Sequence, residues 1–149
     1  ELAVLERLLI SNHGQHRGSK YFRLCVQVKQ ACHGVAPSKL KELLERALRL
    51  LSDVPDGRRS TDASWIRSAS SVLLQSRAAV RSCCAGLEAI IRASKLLAHQ
   101  VHRAFFITLC VVLLACLARL LTCIAHLGAR LFEVHGILLR AVLVSIVCE

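Results

Sequence analysis

Methionine is absent from this chain of 149 residues, proline occurs only twice, and the aromatic set is one Trp, one Tyr and four Phe. Each shortage excludes something. So few rings argue against the aromatic sheet on which RNA-recognition folds stack bases. Acidic residues are half as frequent as basic ones, ten against twenty, which leaves a formal net charge of +10. That imbalance favours anionic partners, RNA or a membrane surface, and concerns association rather than fold. The lack of Met together with a start at Glu1 reads as a segment of a longer protein whose flanking regions are missing.

Signatures of catalysis are equally scarce. There is no phosphate-cradling glycine loop and no dinucleotide fingerprint. Glu42 and Glu45 fall on the wet side of a helix, as ion-pair partners of Lys39 and Arg49. The eight cysteines, Cys25, Cys32, Cys83, Cys84, Cys110, Cys116, Cys123 and Cys148, form no C-x-x-C pair and mostly sit inside apolar helical patterns. They read as buried thiols of a reducing compartment rather than a disulfide framework. Cys83 and Cys84 lie mid-helix, away from the bases or helix N-termini that activate a thiol. His99 and His102, Cys123 and His126, and Cys32 and His33 are close pairs, but no second pair stands at zinc-site spacing. The expectation is no enzyme, no metal, no cofactor and no small-molecule substrate.

What is abundant is Leu, Ala, Val and Ser at helical spacing, so the fold class is all-α, an antiparallel bundle of four to five helices, some long. One domain over 1–149 is expected, with a polar linker at 54–62. A first helix ends at His33-Gly34-Val35-Ala36-Pro37-Ser38, where Gly34 suits a left-handed cap and Pro37 blocks continuation. The second opens after an N-cap at Ser38 and buries Leu40, Leu43, Leu44, Ala47, Leu48 and Leu51. A third runs from Trp65 toward Gln100, with Gly86 or His99 as places for a kink. A fourth covers 103–127 and a last 129–148, separated at Gly128. The apolar run 104–118 is fifteen residues long between Arg103 and Arg119, short of the ~20 that cross a bilayer, and reads as a central bundle helix.

Chemistry concentrates in residues 5–29. On a helical wheel over 11–29, Ser11, Gln15, Gly18, Phe22, Cys25 and Lys29 share one face, with Gly14 beside them. His13, His16, Lys20 and Gln27 share the opposite face, flanked by Arg17. This register turns Gln15 and Phe22 inward and His16, Arg17 and Lys20 outward. An internal role for Gln15-His16-Arg17 stands equally open, in which a buried Gln–His pair fixes helix register in a Leu/Ala core. The glycines fit either close helix packing or a break near Gly14–Gly18, since each disfavours a helix by roughly 1 kcal/mol relative to Ala. The basic set Arg7, His13, His16, Arg17, Lys20, Arg23 and Lys29, with Arg58 and Arg59 on the linker, is the candidate contact surface. Four or five phosphate contacts would give a log–log salt slope of about −3 to −5.

Gln15, His16, Arg17, Tyr21, Phe22 and Arg23 form the pattern Gln-His-Arg, an aromatic pair, then a basic residue. It resembles the N-terminal domain of nucleolus and neural progenitor protein, which is related to the RNase MRP-specific protein subunit of yeasts. Gly14 stands where that family usually has Asn. The resemblance implies a nuclear, nucleolar protein that is associated with RNase MRP-type ribonucleoproteins and rRNA processing. Its partners would be structured RNA or ribonucleoprotein subunits, and any cleavage would belong to the RNA component. It also implies a link to neural progenitor maintenance downstream of Notch signalling. On this reading His13, His16, Arg17, Lys20, Arg23, Arg58 and Arg59 contact RNA or a partner, while Gly14, Gln15, Gly18, Tyr21 and Phe22 build the motif. Two other readings fit the composition: a protein–protein scaffold whose basic face meets an acidic partner, and a membrane-associated protein using 104–118.

Overall fold

The computed structural model describes residues 1–34, 37–52 and 63–147. Within them the fold is all-α as expected, with no strand among the described residues. The elements are α1 (Leu2–His16), α2 (Lys20–His33), α3 (Pro37–Ser52), α4 (Ala63–His102) and α5 (Ile107–Val147). The expected linker at 54–62 lies outside the described residues, as do Arg58, Arg59 and Cys148.

The helix count agrees with the sequence reading, but the boundaries differ in two places. The expected first helix is two, broken at 17–19, and the expected fourth and last helices are one, continuous through Gly128. Continuity follows from the buried stripe of α5. Cys110, Leu113, Leu117, Leu120 and Ile124 lead on to Leu131, Leu138 and Val142 in helical register across the glycine. In α4 the stripe Ala69, Val72, Ser76, Cys83, Ile90, Ala93 and Leu97 likewise passes Gly86 without interruption. A single Gly disfavours a helix by roughly 1 kcal/mol, less than one buried leucine contributes, so the apolar stripe decides.

Two helix ends also depart from expectation. Gly34 has φ −61° and ψ −19°, so it is not a left-handed cap. Its value is closeness: a Cβ there would lie 3.2 Å from the Ala31 carbonyl and 3.7 Å from Ser82 Oγ. Helix α3 begins at Pro37, so Ser38 lies inside it rather than capping it. Pro suits the first helical position because its missing N–H would have had no partner there.

The chain forms two compact units. The first comprises Glu1–Gly34 and Ser82–Leu127. In it α1 and α2 form a hairpin, pinned where Glu6 meets Lys29 Nζ at 3.8 Å and His33 Nε2 at 2.8 Å. Its buried side chains include Leu5, Leu9, Phe22, Val28, Ile90, Leu97, Leu113 and Leu117. Helices α4 and α5 approach closely at Gly86, where a Cβ would lie 3.5 Å from Ile124 Cδ1.

The second unit comprises Val35–Arg81 and Gly128–Glu149. Leu43, Ala47, Val72 and Leu138 form its core, with Leu50, Leu51, Leu73, Ala79 and Val134 packed against them. One polar pair is set into it: Ser76 Oγ lies 2.7 Å from His135 Nδ1. The Trp65 indole N–H donates to the Leu50 carbonyl at 3.4 Å, tying the start of α4 to α3. The ion pairs on α3 run Lys41–Glu45 and Arg46–Glu42, both i,i+4, rather than through Lys39 and Arg49.

Helix α5 is long and apolar enough to cross a membrane by length and composition alone. An 18-residue window within Ile107–Val144 has mean hydropathy 2.5, and one third of it is buried in the protein. Phe132, Ile137, Leu143 and Val144 are exposed on it.

Candidate functional site

The site is built around the break between α1 and α2. Arg17 remains in helical conformation, and its amide bonds the His13 carbonyl at 3.0 Å. Ser19 is extended (φ −79°, ψ 143°), and both its amide (2.9 Å) and its hydroxyl (2.7 Å) donate to the His16 carbonyl. The turn folds the aromatic pair back onto the end of α1. Tyr21 and Phe22 are 5% and 1% exposed, and between them and the α4–α5 turn lies His16, itself only 4% exposed. Tyr21 Oη and His16 Nδ1 are 2.6 Å apart, a buried hydrogen bond. The His16 ring stands edge-on to Phe106, with centroids 4.6 Å apart.

This corrects the orientation expected of Gln15 and His16. His16 is buried and Gln15 is exposed, the reverse of the single-helix register. The physical reason is that His16 continues the inward stripe of α1, Leu5, Leu9 and half-buried Asn12, whereas Gln15 falls off it. A wheel drawn through 17–19 averages two helices that do not share a register. Phe22 does face inward, and Arg17 and Lys20 outward. His13 is exposed, with its ring 6.2 Å from Phe22, and Arg23 is exposed on α2. Lys29 is drawn into the Glu6 pair.

Neither Gly14 nor Gly18 touches anything: a Cβ at either position meets no atom within 4 Å. Close packing through small residues at 11, 14 and 18 is therefore not how the chain uses them. Because Gly14 lies within α1 and faces open space, Gly14→Ala is expected to stabilise the fold by about 0.5–1 kcal/mol. A urea midpoint that fails to rise would contradict this.

Opposite the motif stands the turn between α4 and α5, which sequence reasoning did not single out. Ala104 N–H donates to the Val101 carbonyl (3.0 Å) and Phe105 N–H to the Gln100 carbonyl (3.2 Å), the paired bonds of a Schellman ending. Glycine normally fills the left-handed position of that motif, yet here it is Ala104, at φ 59°. Phe106 is also left-handed, at φ 50°, and its carbonyl accepts the first helical bond of α5, from Cys110 N–H at 3.0 Å. Left-handed backbone at a non-glycine residue costs on the order of 1–2 kcal/mol, and such strain concentrates where a structure does something besides fold. In this turn Phe105 and Phe106 are 59% and 58% exposed.

Between the motif and this turn lies a cavity of about 430 Å³. Gln15, His16, Ser19, Lys20 and Tyr21 line one side, and Leu96, Gln100, Phe105 and Phe106 line the other. Aromatic residues, two glutamines and a lysine therefore line one space. Arg17, Lys20 and Arg23 are exposed and have no carboxylate partner among the described residues, unlike Lys29, Arg46, Arg119 and Arg130.

The described cysteines are free thiols. Burial, reinforced by neighbouring Cys110 and Cys116, pushes the Cys25 thiol up to about 12. Burial likewise raises Cys32, Cys83, Cys110 and Cys116. No group of three or more His, Cys, Asp or Glu capable of holding a metal occurs among the described residues.

The profile of the nucleolus and neural progenitor protein N-terminal domain matches residues 1–139. The chain belongs to this family. The family's name points to the nucleolus, and the Gln15-His16-Arg17 motif falls within the matched region. No curated protein and no solved structure matches the chain.

Proposed function

We propose that this domain is a non-catalytic RNA- and ribonucleoprotein-binding module of the nucleolus, acting in particles of the RNase MRP type and in rRNA processing. Any neural progenitor role would follow from that activity. The observation that carries the reading is the set of unpaired cations at the α1–α2 break. Arg17, Lys20 and Arg23 project to solvent without carboxylate partners among the described residues, beside a cavity lined by two glutamines and aromatic rings. Arginine's planar fork suits bidentate phosphate contact, and lysine adds a mobile charge. His16 supports this surface from within, by fixing Tyr21 and the turn.

The test is crosslinking and sequencing of bound RNA in cells, with Arg17→Ala/Lys20→Ala as the comparison. Enrichment of one structured nucleolar RNA is expected, and its loss in the variant while helicity is retained. In vitro, removing two phosphate contacts should reduce the steepness of the log–log salt slope by about 1.5. Recovery no greater than for a charge-matched helical protein would refute the reading. A neighbouring protein subunit is a second kind of contact, favoured by the exposed Phe132, Ile137, Leu143 and Val144 of α5.

A further inference from the structure

We infer that the cavity between the α1–α2 break and the α4–α5 turn receives a single unpaired nucleobase, stacked on Phe105 and held at its edge by Gln15 and Gln100. The inference rests on the RNA reading and assigns its site of base contact. Phe105 and Phe106 are 59% and 58% exposed, and only Phe106 has a ring partner among the described residues, His16 at 4.6 Å, which leaves Phe105 as the ring without one. The left-handed Ala104 and Phe106 set these rings at the cavity mouth, at a cost in backbone energy that a solvated turn need not bear. Each glutamine amide offers a donor and an acceptor in one plane, the complement of a base edge. Lys20 in the cavity wall and exposed Arg17 supply charge for the flanking phosphates. Single-stranded loops and bulges are where proteins take up bases in this way. The chain's few aromatics are no obstacle, because one exposed ring accommodates one base.

The experiment measures binding of the whole chain to a hairpin RNA with unpaired loop bases, and to the same hairpin with an abasic loop. Phe105→Ala should weaken binding to the base-bearing hairpin by about 5- to 150-fold, the equivalent of roughly 1–3 kcal/mol per stacked base. It should leave abasic binding and the salt slope unchanged. Phe105→Trp should restore the preference for bases, which a purely structural role of Phe105 would not allow. Because Phe105 is exposed, both variants should keep the helical circular dichroism of the parent. If Phe105→Ala and the abasic loop change nothing while Arg17→Ala/Lys20→Ala still weakens binding, the base site is wrong and the RNA reading stands. If the parent chain binds neither hairpin, both fall.

Discussion

Phe22→Ala is expected to destabilise the protein by about 3–5 kcal/mol, as deletions of buried aromatics do. That is a large share of the 5–15 kcal/mol typical of a domain. Phe22 is 1% exposed, and its ring lies against both His13 and His16, with centroids 6.2 Å away in each case. The cavity it leaves would open beneath the α1–α2 break, so the RNA binding proposed above should fail together with the fold. Tyr21→Phe separates the two effects. It keeps the ring and removes the hydroxyl 2.6 Å from His16 Nδ1, leaving a buried polar atom unsatisfied at about 1–3 kcal/mol. Urea unfolding of the two variants measures the order. A Phe22→Ala midpoint above that of Tyr21→Phe would mean the ring is not the keystone of this unit.

The second large effect concerns alkaline pH. Cys25 is fully buried, and its thiol is raised from 9.0 to about 12, first by burial and then by Cys110 and Cys116. In the unfolded chain the same thiol ionises near its ordinary value, so above pH 9 the native state holds a proton that the unfolded state has released. The contribution of Cys25 to stability is therefore fully present below about pH 9 and is lost as pH rises toward 12. At 1.36 kcal/mol per unit, Cys25 alone accounts for up to about 4 kcal/mol over that interval. The other raised thiols act in the same direction. Urea midpoints under reducing conditions should fall between about pH 8 and pH 10.5, and less steeply in Cys25→Ala, whose slope rather than absolute stability is compared. Equal slopes in parent and variant would show that Cys25 is not the source.

The same thiols illustrate how composition constrains chemistry. Eight cysteines without a C-x-x-C pair, set in apolar helical pattern, read as buried and unreactive. Five of the described thiols are buried, with ionisation pushed to higher pH, while Cys84 and Cys123 are exposed. The exposed pair could not be told apart by residue type. Only the position of each around its helix distinguishes it.

Half of the candidate site was legible. Gln15-His16-Arg17 and the aromatic pair stood out because polar residues interrupt an otherwise apolar pattern. Even the burial of His16 was available, since Leu5 and Leu9 set the register that reaches it, had α1 been read by itself. The other half was hidden. Arg103-Ala104-Phe105-Phe106 contains no Gly, Pro, Asn or Asp, the residues by which a left-handed turn ordinarily declares itself. The run 104–118 accordingly read as helix from its first residue, and the rings that face the motif went unnoticed.

By itself the sequence determined that the protein is all-helical, basic, free of C-x-x-C pairs, and marked by one motif near residue 16. These properties follow from periodicity and composition, which need no knowledge of what packs on what. Tertiary structure alone decided where helices stop. Gly128 and Gly136 are bridged because the stripe of α5 buries side chains on both sides of them, while Ala104 and Phe106 are forced left-handed where α4 gives way to α5. A glycine's local preference amounts to about 1 kcal/mol, and burial of one or two large side chains exceeds it. The pairing of the motif with Phe105 and Phe106 belongs to the same class of decision, for it joins residues some ninety positions apart, a relation that no local pattern can encode.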